Sequence, residues 1–139
     1  MTGKLTRVTE ADRVAELLGL PLDINDTASL TAKVAEGLPA ASLEHILDIM
    51  VSEPKLSLIP ERAFRRAKTE KLPLSPVKSQ ILYDFARAYV VADRIHSGNG
   101  MLVMRFFEKP NAEFGGATPM ALAISSPPGA DAVIELLNR

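Results

Sequence analysis

The strongest chemical signal in the chain is cationic. Arg62, Arg65, Arg66 and Lys68 fall within one helical stretch. Guanidinium and ammonium groups so grouped can grip phosphate oxygens, and a short helix carrying them can lie in a major groove. From Lys55 to Lys78, seven Lys or Arg stand against two Glu, while the whole chain carries only −1. This balance describes either a phosphate-binding face or a solvated basic face with Glu61 and Glu70 as local partners. Composition leaves both open.

Catalytic chemistry has little support. His45 and His96 lie on different helices and have no metal-ligand spacing. There is no Cys, so thiolate nucleophiles, thiolate metal sites and disulfides are excluded. Gly115-Gly116 leads into Thr118-Pro119 without the lysine or third glycine of a phosphate-cradling loop. Ser125-Ser126 has no histidine placed near it in sequence, so a triad has no basis. No metal or cofactor is implied, and an enzyme is the least favoured class.

The elements that position these groups read as helices. The chain has 139 residues, 47% hydrophobic but only 5% aromatic, which suits an aliphatic helical core. No apolar run approaches membrane-spanning length, no signal segment opens the chain, and the lack of Cys fits a reducing cytosol. A soluble cytoplasmic protein is expected. After a loose start to Val8, Thr9 with Asp12 signals a capped helix carrying Ala11, Val14 and Leu18, ended by Gly19 and Pro21. Thr27 to Glu36 forms a short helix stopped by Gly37. Ser42 is expected to cap a helix with Leu43, Ile46, Leu47 and Met50 on one face.

Ser52 to Ile59 reads as irregular. Pro60 suits the first turn of the basic helix, whose Ala63, Phe64 and Ala67 face inward. Ser75-Pro76 starts the longest helix, which reaches about His96 with Val77, Ile81, Phe85, Ala88, Ala92 and Ile95 at three-and-four spacing. Ser97 to Gly100 ends it, and a short helix carries Leu102 and Phe106 onward. The expectation is all-α, a small bundle of seven or eight helices.

The end of the chain is a hinge between short helices. Pro110 stops one, Gly115-Gly116 permits positive φ, and Thr118-Pro119 starts the next. After the break Ser125 to Gly129, a last helix aligns Ala130, Val133, Ile134 and Leu137, with Asp131, Glu135 and Asn138 opposite. Helices this short are marginal alone and must pack on the rest of the chain or on a partner.

The string Pro110-Asn111, Phe114-Gly115-Gly116, Thr118-Pro119, Leu122, Gly129, Val133, Leu137 resembles the toxin-binding C-terminal domain of the MbcA/ParS/Xre antitoxin family. The resemblance extends upstream through Gly37-Leu38-Pro39, Ile59-Pro60-Glu61-Arg62, Leu74-Ser75-Pro76 and Phe85-Ala86-Arg87. It covers about Val34 to Arg139. The sequence departs at Ala63, where a Thr is usual, and at Phe106-Phe107, where a Trp-Leu pair is common. It also departs at Ser52-Glu53-Pro54, which replaces the small-residue turn of a helix-turn-helix.

The resemblance implies an antitoxin of a bacterial type II toxin–antitoxin pair. Its partner would be a RES-domain toxin that depletes NAD, neutralised by a C-terminal domain obstructing the NAD site. An Xre-like helix-turn-helix would bind the operon's own promoter, usually as a homodimer. The implied division is an N-terminal helical extension over 1–36, the helix-turn-helix domain over 37–98 and the toxin-binding domain over 99–139. DNA contact would fall to Arg62, Arg65, Arg66 and Lys68. Toxin contact would fall to Asn111, Phe114, Gly115, Gly116, Thr118 and Arg139, the last combining a guanidinium with a chain-terminal carboxylate. The other reading is a stand-alone helix-turn-helix regulator whose C-terminal piece only dimerises.

Overall fold

A computed structural model describes residues 9–49 and 61–139. The tail before Thr9, Met50, the Ser52 to Ile59 segment and Pro60 lie outside the described residues. Among those described there is no strand, and the all-α expectation holds. The helices are α1 (Glu10–Leu17), α2 (Thr27–Glu36), α3 (Ala40–Ile49), α4 (Glu61–Glu70), α5 (Pro76–Ile95) and α6 (Gly100–Glu108). A 3-10 turn at Ala112–Phe114 precedes α7 (Pro119–Ser125) and α8 (Pro127–Leu137).

Local chemistry sets the starts. Thr9 and Asp12 form the reciprocal capping box of α1, with Asp12 N–H donating to Thr9 Oγ1 at 3.1 Å and Thr9 N–H to Asp12 Oδ2 at 3.2 Å. Asp26 and Ser29 do the same for α2, and Ser75 accepts from Lys78 N–H at the head of α5. Ser42 differs from expectation. The helix already begins at Ala40, and the buried Ser42 hydroxyl donates to Leu18 O at 2.7 Å, tying α3 to the end of α1. The final helix also starts earlier than expected. Ser126 caps Gly129 N–H, and Pro127-Pro128 are its first turn, where missing N–H groups cost nothing.

α5 is the axis of the bundle and packs against α1, α2, α3, α6, α7 and α8. Neighbours on several sides explain why one stripe does not describe it. Val77 and Ile95 at its ends are exposed, whereas Leu82, Ala86, Tyr89, Val90 and Val91 join Phe85, Ala88 and Ala92 in the interior. The Phe85 ring lies 5.2 Å from Phe107 on α6 and 5.8 Å from Tyr89, and Tyr89 is parallel to Phe107 at 6.2 Å. These contacts fix the register of α6 on α5 beyond simple burial. One hydrophobic cluster runs from Val14 to Val133.

A buried polar crossing joins the front of the chain to α5. Leu38 N–H donates to the fully buried Ser79 hydroxyl at 2.7 Å, and Leu74 N–H donates to Leu38 O at 2.8 Å. Each satisfies a main-chain group that would otherwise be stranded in the core.

Candidate functional site

On α4 the buried Ala67 faces α3, and Arg62, Arg65 and Arg66 stand exposed. The side chains of Ala63 and Phe64, expected inward, lie outside the described residues. Arg66 Nε is 3.4 Å from Glu70 one turn later. Lys68 reaches back to Glu44 on α3 at 2.8 Å. Lys68 is therefore tied across the α3–α4 contact, while the three arginines share one outer surface. A shallow hollow there is lined by Arg62, Arg65, Arg66, Thr69 and Glu70. A second groove places Arg62 and Arg66 beside Lys78 and Ser75 at the start of α5. The structure thus gathers cations from two helices that sequence spacing alone separates. The helix N-terminus adds partial positive charge at the same place.

At the other end, Asn111 organises the turn. Its side chain accepts from Glu113 N–H at 2.8 Å, and its carbonyl accepts from Phe114 and Gly116 N–H at 3.0 Å. Its own N–H donates to Ala117 O at 3.0 Å, closing the loop. Gly115 and Gly116 have φ of +64° and +91°, and a Cβ at either position would meet no atom within 4 Å. The glycines serve backbone conformation rather than close approach. Thr118 accepts from Ala121 N–H at 3.1 Å and starts α7. Phe114 is half-buried against the core. Arg139 pairs with Glu113, so the chain end is held to this turn rather than left unpaired. Both partners are exposed, and such a pair is worth at most about 1 kcal/mol, weak enough to exchange.

α7 and α8 form a tight hairpin. A Cβ on Gly129 would sit 2.2 Å from Leu122 O, so only glycine permits this approach. α8 is fastened to α5 by Arg87, which donates to Asp84 and to Asp131, each at 2.9 Å. Gln80 adds a bond to the same Asp84 oxygen at 3.0 Å, and the guanidinium lies 5.4 Å over the Tyr83 ring. Burial works against the Arg87 charge, but the Asp131 and Asp84 carboxylates outweigh it and raise its pKa above the ordinary value. A second tie runs from Arg94 to Asn138 on one side and Glu10 on the other. Sequence reasoning used Arg87 only as part of a pattern. The three-residue spacing of Asp84 and Arg87 was legible, but the third partner, forty-four positions on, was not.

His45 is exposed beside Gly19, and His96 is half-buried at the end of α5. No cluster of His, Asp or Glu among the described residues could hold a metal ion. No helix among them is long and apolar enough to cross a membrane.

Comparison with known families matches residues 92–139 to the antitoxin Xre/MbcA/ParS C-terminal toxin-binding domain. A search of curated proteins finds no match. The matched segment takes in the last turn of α5, all of α6, the Asn111 turn and the α7–α8 hairpin. Residues 92–139 of this chain are similar to the toxin-binding C-terminal domain of the Xre/MbcA/ParS antitoxins.

Proposed function

We propose that this protein is an antitoxin that neutralises a RES-domain, NAD-degrading toxin by covering its active-site cleft, and that it represses its own operon by binding operator DNA. The observation that carries the reading is the match of residues 92–139 to a toxin-binding antitoxin domain. The arrangement of that domain supports it. Arg139, weakly paired to Glu113, can exchange this partner for an acidic group of a nucleotide cleft. Phe114 packs at the edge of the same turn and offers an aromatic border to a contact.

Arg62, Arg65 and Arg66 on α4, with Lys68 and Lys78 beside them, suit contacts to a DNA backbone. In this reading residues 37–98 serve the operator, 99–139 serve the toxin, and the protein acts as a homodimer on DNA. Coexpression of the intact chain with the RES-domain toxin of its operon tests the main claim. Growth and cellular NAD should be maintained at equal expression. NAD falling as it does with toxin alone would leave only a DNA-binding regulator.

A further inference from the structure

In the reading above the Asn111 turn offers the toxin Arg139 and Phe114, but it does not supply the apolar centre of a contact. The Oδ1, N–H and carbonyl of Asn111 close that turn, and the Thr118 hydroxyl caps the helix after it. A different surface of the matched segment is unpartnered and apolar. Ile95, Met101 and Leu102 are 40%, 66% and 39% exposed, and all three fall within residues 92–139. They flank the corner between α5 and α6. Asn99 caps this corner, its side chain accepting from both Met101 N–H at 3.1 Å and Leu102 N–H at 3.2 Å. The opposite face of α6 is locked by buried Val103, Met104 and Phe107, so the rotation of the helix is fixed. The exposed Arg105 stands one turn beyond Met101 and Leu102 on the same face.

We propose that Met101 and Leu102, bordered by Ile95 and Arg105, are the apolar anchor through which this domain grips its toxin. This rests on the toxin-neutralising reading and locates its contact surface. A rigid helix face presenting Met, Leu and Arg has the composition of an interface centre, where a few desolvated side chains carry most of the affinity. The occupant is the toxin rather than another partner because the patch is continuous with the toxin-binding segment itself. α6 spans about 13 Å from this patch to the turn that holds Glu113 and Arg139. A toxin engaging both ends would therefore lie along α6.

The test measures affinity of the full-length protein for the purified RES-domain toxin by titration calorimetry. The double variant Met101→Ser, Leu102→Ser should bind at least about thirtyfold more weakly, as hot-spot truncation does. Val77→Ser, exposed but outside the matched segment, should bind within about threefold of the parent. If the double variant melts more than about 5 °C below the parent, Met101→Gln replaces it, with at least about a fivefold loss expected. Affinity of the folded variant within threefold of the parent overturns this anchor and leaves toxin neutralisation standing. A changed oligomeric state with unchanged toxin affinity also overturns it, making the patch a self-association face. A parent protein that does not bind the toxin overturns both claims.

Discussion

Arg87 on α5 and Asp131 on α8 meet at 2.9 Å across forty-four residues of sequence, and the same guanidinium holds the buried Asp84 one turn before it. The α7–α8 hairpin is thereby fastened to the long axis by a charged bond as well as by apolar packing. Removing Arg87 would take the counter-charge from the buried Asp84 and leave Gln80 donating to its carboxylate. Arg87→Met should cost about 3 kcal/mol, read from urea unfolding. Asp131→Asn, at an exposed carboxylate, should cost less than about 1 kcal/mol. Equal losses would mean that the buried partner is not the one that matters.

The α7–α8 hairpin makes a second, steric claim. Gly129→Ala places a methyl against Leu122 O and 2.8 Å from Ser125 Oγ. Backbone cannot give way as a flexible side chain can, so about 2 kcal/mol should be lost. Gly100→Ala, with open space around it, should shift stability by less than about 0.5 kcal/mol. A melting comparison of the two variants decides this.

Much of this architecture was legible in the sequence, and what was not has a common cause. Caps are local, so Thr9, Ser75-Pro76 and Thr118-Pro119 announced their helices at the right residues. Ser42 resembled a cap but is a buried tie to Leu18, because a hydroxyl serves a distant carbonyl as readily as a neighbouring amide. The apolar stripe of α5 failed at Val77 and Ile95, since periodicity cannot say which turns of a long helix have neighbours. For the candidate site, the basic residues of α4 were plain in composition. The convergence of Arg62 and Arg66 with Lys78 is tertiary and was not. Likewise the pairing of Glu113 with Arg139, twenty-six positions on, is tertiary and leaves no mark in the sequence.

DNA binding should depend on the exposed arginines of α4. Arg65→Ala with Arg66→Ala should abolish operator shifts at physiological salt while leaving toxin affinity unchanged. The parent complex should weaken steeply as salt rises, because phosphate contacts release counterions. Parallel loss of toxin binding would mean that the two functions share this face.

The capping box of α2 gives a pH dependence. The Ser29 backbone N–H, and then its hydroxyl, favour the Asp26 carboxylate and hold its pKa below the usual 3.8. A depressed folded pKa stabilises the fold above the unfolded value and is lost as pH falls through the folded one. Helicity of α2 should therefore weaken below about pH 4, with the loss blunted in Asp26→Asn, which still accepts from Ser29 but does not titrate there. Circular dichroism across an acid titration reads the difference.

NAD hydrolysis by purified RES-domain toxin, followed while the intact protein is titrated in, tests neutralisation most directly. Covering of the cleft predicts activity falling to zero at a fixed antitoxin-to-toxin ratio, independent of NAD concentration once the complex has formed. Full turnover at saturating protein would contradict it.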